Sequence, residues 1–299
     1  MKLARFTHAD QTSVGLVRDG RVIELSKVLP DAPTNTIDVL AGGAALRQRI
    51  NAALAQQPAG AGHSLSDVKL EAPIVNPQKY LAIGMNYQDH ADEAERAGIA
   101  IQKSQLWFNK QVSCITGPYS PVYKPRVSQK MDYEAEMGVV IGKRCRYVSE
   151  ADARSVVAGY FVSNDLTARE WQFASQTYTL GKSFDTHGPI GPWITTHDEI
   201  EDPHNLMMRL WVNGVKKQEQ NTGQMIYNIW QQIHHLSQVM TLEPGDLIAT
   251  GTCANVGIAT GSFLQPGDVV KVEIDKLGHI ENRVIEEPVE DYAPDAFPV

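Results

Sequence analysis

Short apolar runs of strand length, separated by turn residues, dominate the sequence from Glu71 onward and restrict what this chain can fold into. These runs are Lys79–Ile83, Met137–Ile141, Gly159–Ser163, Ile190–Thr195, Met207–Val212, Asp246–Thr250 and Val269–Ile274. Turn residues such as Asn213-Gly214 lie between them. Because the runs do not alternate regularly with helical segments, they argue against a doubly wound parallel sheet. The pattern predicts a strand-dominated α+β domain.

Helical patterns are fewer in this part of the chain. They cover Asp89–Ala97, Glu150–Val157 and Met225–Met240.

Residues 1–70 form a separate unit in the sequence. An Asp19-Gly20 pair between two apolar runs predicts a β-hairpin, and the apolar spacing of Thr36–Ala55 predicts a helix. A stretch rich in Gly, Pro and small residues follows and is typical of a linker. We therefore predict a small N-terminal α/β domain over 1–70 and a larger domain over 71–299.

The charge balance bears on the class of partner. The 299 residues carry 27 Lys and Arg against 35 Asp and Glu, a formal net charge of −8, with no cluster of basic residues. Nucleic acids and anionic membranes attract basic surfaces, so neither is expected as a partner. The three cysteines form no CxxC motif, and no apolar run resembles a signal peptide or a membrane span. These features predict a cytoplasmic protein.

Glu134 and Glu136 are the sharpest local signal of chemistry. Alternation along a strand places both carboxylates on one face, together with Gly138 and Val140. Two like charges on a half-buried face repel each other unless a cation lies between them, and carboxylate oxygens suit Mg²⁺ or Ca²⁺. Asp165, at the end of another apolar strand, is a third candidate. The alternatives are surface acids on an edge strand and, for Asp165, a helix N-cap.

Two further features could supply acid–base groups. His90 and Glu93 are three residues apart on a predicted helix, so the carboxylate could orient the imidazole. Lys182 follows Gly181 and precedes Ser183-Phe184 in a segment that could face a cleft. The alternatives are a surface pair on the helix and a loop lysine. The histidines at 187, 197, 204 and 279 have turn-like neighbours and are expected at the surface.

Five sequence blocks, taken in order, resemble the fumarylacetoacetate hydrolase family. They are GMNYQDHADE, DYEAEMGVVIG, SNDLTAREWQ, GKSFDTHGPIGPW and PGDLIATGT, and they extend the resemblance over about residues 73–285. The first 70 residues are similar to the small leading domain of many bacterial members. The resemblance implies a mixed β-roll or sandwich catalytic domain and a homodimer.

The resemblance also implies roles for individual residues. It places the metal ligands at Glu134, Glu136 and Asp165, with Mg²⁺ as the usual ion and Mn²⁺ or Ca²⁺ as alternatives. It places the catalytic groups at His90, Glu93 and Lys182. The expected substrate contacts are Tyr87, Arg169, Gln172, Gly251 and Thr252. This sequence departs from the family pattern at Cys253-Ala254-Asn255, which replace the usual proline and glycine after the TGT turn.

The implied activity is hydrolysis of a 2,4-diketo acid, such as an acylpyruvate or a diketo-deoxy sugar acid, to pyruvate and a carboxylic acid. In that reaction His90 and Glu93 would activate a water for attack on C4, and Lys182 would stabilise the resulting oxyanion. The alternatives are an oxaloacetate decarboxylase or tautomerase, a dienoate isomerase or hydratase, and a non-catalytic metal-binding protein.

Two regions around the site carry further expectations. We expect the acyl side of the pocket to be formed by the N-terminal domain, Trp107–Lys110, Ala174–Thr179 and the turn at Cys253. The segment Gln88–Gln102 is polar and has few apolar anchors, which predicts a lid that becomes ordered when substrate binds.

Overall fold

Strands are the main elements of the computed structural model, which describes residues 1–96, 98 and 103–288. The strands are β1 (Lys2–His8), β2 (Gln11–Arg18), β3 (Arg21–Glu24), β4 (His63–Ser64), β5 (Lys69–Glu71), β6 (Tyr80–Gly84), β7 (Leu106–Asn109), β8 (Ile115–Thr116), β9 (Val122–Lys124), β10 (Met131–Asp132), β11 (Ala135–Ile141), β12 (Val157–Asn164), β13 (Thr167–Ala168), β14 (Gly188–Thr196), β15 (Met207–Val212), β16 (Val215–Asn221), β17 (Leu247–Ala249), β18 (Val269–Ile274) and β19 (Gly278–Glu286). The helices are α1 (Leu25–Val28), α2 (Thr36–Ala41), α3 (Gly43–Ala55), α4 (Gln88–Arg96), α5 (Arg169–Phe173), α6 (Ile229–Val239) and α7 (Gly257–Thr260). The predicted strand-dominated α+β class is confirmed.

One large mixed sheet joins the N-terminal region to the rest of the chain. Its strands run in the order β4-β3-β2-β1-β14-β12-β11-β17-β6-β7. The link is made by β1, which pairs with β2 on one side and with β14 on the other, Leu3 opposite Ile194. A second sheet has the order β16-β15-β18-β19-β9. The predicted boundary near residue 70 therefore separates two parts of the chain that share one sheet, because β1 pairs with β14.

Strand β11 lies inside the large sheet, and its two faces pack into different cores. Met137, Val139 and Ile141 belong to the core shared with the second sheet, whereas Val140 packs with Phe161 of β12 and with the N-terminal region. This alternation confirms that Glu136 and Val140 lie on the same face. The face that holds the acidic pair is therefore buried.

The structure corrects two of the helix predictions. Residues 150–157 form turns and a short 3₁₀ helix over Ala153–Val156, and β12 begins at Val157. The β-branched pair Val156-Val157 favours the strand. The helix predicted over Thr36–Ala55 is divided into α2 and α3, because Gly43 has a φ of +61°, which a right-handed helix does not accept.

The predicted helix at Asp89 is present as α4, which begins one residue earlier than predicted, and the long helix before Met240 is present as the shorter α6. The rest of the predicted lid lies mostly outside the described residues, which omit 97 and 99–102. Among the described residues, no helix combines the length and apolarity that crossing a membrane requires.

Candidate active site

Three buried carboxylates meet where β11 begins and β12 ends. Glu136 lies in β11, Glu134 directly precedes it, and Asp165 directly follows β12. One oxygen atom from each side chain lies within 4.8 Å of the others. The structure thus brings together the three residues predicted to bind metal, which we call the acidic triad.

Burial and like charge act strongly on this triad. Burial raises the pKa of Glu136 well above its usual value, and the neighbouring Asp165 and Glu134 raise it further. Burial would also raise the pKa of Glu134, but Lys182 and Arg169 outweigh it and lower the pKa to about 2. The three carboxylates therefore repel one another at close range, and an added cation would relieve the repulsion.

Backbone geometry at Gly251 fixes the orientation of Glu136. The Gly251 N–H donates to Oε2 of Glu136 over 2.9 Å. Gly251 has a φ of +99°, and a Cβ atom there would come within 2.7 Å of the Cβ atom of Asn86. Glycine is therefore required for this contact. Gly251 thus holds a carboxylate of the triad, and its predicted contact with the substrate stays a prediction.

Two buried lysines bind the other two carboxylates. Lys182 Nζ lies 2.6 Å from Glu134 Oε2 and 2.8 Å from Asp165 Oδ2. Lys110 Nζ lies 2.6 Å from Asp165 Oδ1, and it also donates to the backbone carbonyls of Lys182 and His187. Lys110 thereby ties the Asp165 carboxylate to the segment that carries Lys182.

Arg169 is held at the start of α5 by a second buried carboxylate. Its guanidinium lies 2.7 Å from both Asp132 and Glu134 and donates to Oε1 of Gln172 over 2.9 Å. Asp132 in turn accepts backbone N–H groups from Gly257 and Ile258. Asp132 therefore fixes Arg169 against both the triad and α7.

The charges of this cluster favour a bound cation. Four buried carboxylates face three cationic side chains. These are Asp132, Glu134, Glu136 and Asp165 against Lys110, Arg169 and Lys182. Carboxylate oxygens are the preferred ligands of hard divalent ions. The acidic triad therefore fits a divalent metal ion.

The predicted acid–base pair lies in α4. His90 Nδ1 is 3.3 Å from Glu93 Oε2, and Glu93 Oε1 accepts the backbone N–H of Asn255 over 3.0 Å. The helix that carries His90 is thus connected to the segment after the TGT turn, where this sequence departs from the family pattern. Asn255 has a φ of +70°, a conformation that asparagine tolerates better than most residues.

One cavity contains both the His90–Glu93 pair and most of the triad region. Its lining includes His90, Glu93, Glu134, Glu136, Arg169, Gln172, Lys182 and Thr252. Asp165 is fully buried behind this lining. Thr252 also accepts a hydrogen bond from Gln218, which holds the turn in place.

Tyr87 was predicted as a substrate contact, but it lies apart from Arg169, Gln172 and Thr252, which line the cavity. It is fully buried in the hydrophobic core, and its hydroxyl has no partner among the described residues. It is not among the residues that line the cavity. The structure therefore places Tyr87 behind the site wall.

The predicted acyl side of the pocket is present only in part. Phe108 and Tyr178, from two of the predicted segments, line the cavity, and Thr252 and Val256 flank the Cys253 turn. Among the described lining residues, however, none precedes Ile83, so the N-terminal region does not form this wall.

The expectation of a surface position is wrong for His187, which is fully buried, and burial lowers its pKa to about 3.

Comparison with known families gives two matches that together cover most of the chain. The profile of the fumarylacetoacetate (FAA) hydrolase C-terminal domain matches residues 79–285, and that of the Rv2993c-like N-terminal domain matches residues 1–73. The chain belongs to the fumarylacetoacetate hydrolase family. The resemblance inferred from the five sequence blocks is thereby confirmed.

Relatives within this family differ in their reactions. Oxaloacetate tautomerase fahd2 of Xenopus laevis, a mitochondrial protein, is 41% identical over 295 residues, which cover 95% of this chain and 90% of that protein. The crystal structure of maleylpyruvate hydrolase from Sphingobium sp. SYK-6, in complex with manganese(II) and pyruvate, has a TM-score of 0.81 and 33% identity, covering 96% of this chain and 100% of that one. Fumarylacetoacetate hydrolase from Exiguobacterium antarcticum has a TM-score of 0.82 and 32% identity, with the same coverage. These matches confirm the fold and place the chain in a family of enzymes.

Sequence reasoning missed two members of this family site, Lys110 and Asp132. Lys110 was expected only as part of the acyl pocket, and Asp132 was given no role. Their partners Asp165 and Arg169 are 55 and 37 residues away along the chain, so no local spacing marks the contacts. The sequence offered two signals for these contacts. Lys110 directly follows the strand β7, and Asp132 comes shortly before the strand β11.

Replacing Lys110 with methionine should lower the free energy of unfolding by about 3–5 kcal/mol, because it leaves the buried Asp165 without one of its two cations. Urea denaturation would measure the change. Arg49→Met is a suitable control, because Arg49 pairs with Asp31 at the surface and both partners stay solvated. Equal stability of the Lys110 and Arg49 variants would contradict the importance of the buried pair.

Proposed function

We propose that this chain hydrolyses the C3–C4 bond of a 2,4-diketo acid, giving pyruvate and a carboxylic acid. The observation that carries the proposal is that a potential base, His90, and the carboxylates Glu134 and Glu136 line a single cavity. Hydrolysis needs a base for water, a cationic centre for the 2-oxo acid and donors for the oxyanion. This cavity offers a candidate for each.

The acidic triad would hold a divalent ion, with Mg²⁺ as the first choice and Mn²⁺ or Ca²⁺ as alternatives. Such an ion, when bound, would act as a Lewis acid that offsets negative charge on the 2-oxo side of the substrate. The presence of manganese(II) and pyruvate in the maleylpyruvate hydrolase structure supports this assignment. Lys110 and Arg169 keep the carboxylates Asp165 and Glu134 in position.

His90 would take the proton from the attacking water. Because its Nδ1 faces Glu93, Nε2 is the nitrogen that remains to act as the base. The water oxygen bonds to C4, and its proton moves to Nε2. Gln172 and Lys182 line the same cavity and would donate to the oxyanion that forms on C4.

Breakage of the C3–C4 bond then leaves the electron pair on C3. The proton held on His90 returns to C3, which yields pyruvate, and the acyl group departs as a carboxylic acid carrying the water oxygen. Glu93 stays an acceptor for Nδ1 throughout, because its other oxygen is bound by the Asn255 N–H. His90 thus serves first as the base that takes the proton from water and then as the acid that protonates C3.

A second candidate is keto–enol tautomerisation of oxaloacetate. The 41% identity to an oxaloacetate tautomerase over 95% of the chain favours it. In this reaction His90 would move a proton between C3 and the 2-oxo oxygen, and no water would attack. The same metal ligands would serve.

Product analysis separates the two reactions. We expect 2,4-dioxopentanoate to yield pyruvate and acetate when Mg²⁺ is present and to stay intact after EDTA treatment. Oxaloacetate would be followed in parallel by enol absorbance and by release of pyruvate and CO₂. Rapid enol–keto conversion of oxaloacetate, with no cleavage of any diketo acid, would overturn the hydrolase proposal in favour of the tautomerase.

A further inference from the structure

Three aromatic side chains form a wall on one side of the cavity. They are Phe108, Phe173 and Tyr178. The ring of Tyr178 meets Phe108 at a centroid distance of 6.1 Å and Phe173 at 6.5 Å, both edge to face. Phe108 also lies close to the catalytic residues, with its ring centroid 5.1 Å from Lys182 Nζ. The aromatic wall therefore begins beside the acidic triad and continues to Phe173, which is 49% exposed.

Apart from Gln172 and Thr252, the rest of the cavity lining outside the charged cluster is also apolar. It is formed by Ile83, Met85, Ala94, Val256, Ile258 and Ala259. Ala94 comes from the helix that carries His90, and Ile258 and Ala259 come from α7. A substituent that extends from the triad would therefore meet apolar surface on more than one side.

The cationic groups of the cavity already have anionic partners. Arg169 lies against Asp132 and Glu134, Lys182 lies against Glu134 and Asp165, and His90 lies against Glu93. The residues that the structure does not describe, 97, 99–102 and 289–299, include no Lys, Arg or His in the sequence. Among the described residues that line the cavity, no cation is therefore left over beside the aromatic wall to neutralise a second carboxylate on the substrate.

We propose that the substrate is an acylpyruvate with a flat, apolar acyl group, of the aroylpyruvate class. This inference rests on the proposed hydrolase function and specifies its substrate. An aryl group can stack edge to face on Tyr178 and Phe108, which adds to the gain from burying its apolar surface. A carboxylate placed there would lose its hydration without gaining a partner. The cavity therefore selects monoanionic aryl substrates against dianionic ones.

Three substrates with the same reacting head test this selectivity. They are 2,4-dioxopentanoate, 2,4-dioxo-4-phenylbutanoate and the dianion 2,4-dioxoheptanedioate. With Mg²⁺ present, we expect kcat/KM for the phenyl compound to exceed that for the pentanoate by roughly 10-fold or more. The dianion should be the poorest of the three. Equal values for all three, or a preference for the dianion, would overturn the inference while leaving hydrolysis itself intact.

Variants of Tyr178 assign the selectivity to the aromatic wall. Tyr178→Ala should lower kcat/KM for the phenyl substrate by roughly 10- to 100-fold and that for the pentanoate by less than about 3-fold. Tyr178→Arg should increase the relative rate on the dianion, because it supplies the missing cation. Tyr147→Ala is the matched control, since Tyr147 is exposed and lies outside the cavity lining. Parallel losses on all substrates would show that Tyr178 has only a structural role.

A binding measurement separates this inference from the proposed reaction. 2-Oxo-4-phenylbutanoate lacks the 4-oxo group and cannot undergo the cleavage, and 2-oxopentanoate is its small counterpart. Calorimetry with Mn²⁺ should show tighter binding of the phenyl compound to the wild type, and Tyr178→Ala should remove the difference. If no diketo acid is cleaved, the hydrolase proposal fails, and this titration still decides whether the cavity prefers an aryl group. Equal affinities would overturn the inference.

Discussion

Glu136→Gln should abolish the turnover that we expect Mg²⁺ to restore to the EDTA-treated wild type, with a loss of roughly 10³-fold or more. The substitution keeps the shape of the side chain and an oxygen that can accept the Gly251 N–H, but it removes one charge and one strong ligand from the triad. Activity assays across a Mg²⁺ titration would measure the loss. Glu201→Gln, at an exposed glutamate, is the control.

The same variant has an opposite effect on the metal-free protein. Burial, Asp165 and Glu134 raise the pKa of Glu136 above the ordinary value of 4.5, so the folded state holds this proton more tightly than the unfolded state does. The protonated Glu136 therefore stabilises the folded state fully below pH 4.5, and this stabilisation is lost as the pH rises through the raised pKa. The glutamine variant lacks this loss and should be at least as stable as the wild type at neutral pH without metal. A fully active or strongly destabilised Glu136→Gln protein would contradict the assignment of Glu136 to the metal site.

His90→Ala should lower turnover by roughly 10²- to 10⁴-fold, the usual contribution of a general base, and should leave the affinity for Mn²⁺ unchanged. The imidazole contacts Glu93 and lines the cavity, whereas the metal ligands lie on other elements. Steady-state kinetics and a Mn²⁺ titration on the same protein would separate the two effects. His8→Ala, at an exposed histidine far along the chain from the site, is the control.

A loss below 10-fold in His90→Ala would exclude His90 as the base that activates water. A comparable loss of Mn²⁺ affinity would instead indicate that α4 supports the metal site. Glu93→Gln provides an intermediate test, because it removes the negative charge that stabilises a protonated imidazole and leaves one acceptor oxygen for the two groups that Glu93 contacts, His90 and the Asn255 N–H.

The alternation of apolar and polar residues along the strands predicted the structure better than any other feature of the sequence. Alternation in DYEAEMGVVIG predicted that Glu134 and Glu136 share one face, because side chains alternate along any strand, but it left open whether that face was buried. Their meeting with Asp165 depends on the pairing of β11 with β12, in which Ala135 lies opposite Asn164. The apolar pattern of the two strands does not specify this register, and only the family resemblance connected the three residues.

Contacts that support the site depend on tertiary packing and were harder to predict. His187 has Gly188 and Pro189 as neighbours, which is typical of a turn, yet β14 begins there and continues into the central sheet. The apolar spacing of Thr36–Ala55 continues across Gly43, but the left-handed φ of this residue, where α3 begins, interrupts the right-handed backbone between α2 and α3. The predicted homodimer, the cytoplasmic location and the domain boundary near residue 70 stay predictions.

The pairing of β1 with β14 has a consequence for how this protein could lose or exchange its first 73 residues. Their removal would leave part of the edge of β14, around Ile194, with unpaired backbone groups, and it would uncover Val140 and Phe161, which share a core with Leu3 and Leu16. An open edge beside apolar surface recruits strands from other molecules. No described lining residue of the cavity precedes Ile83. We therefore expect a shortened chain to lose solubility before its substrate selectivity changes. The N-terminal region thus protects the central sheet from aggregation, and this constrains how freely it could be recombined as a module.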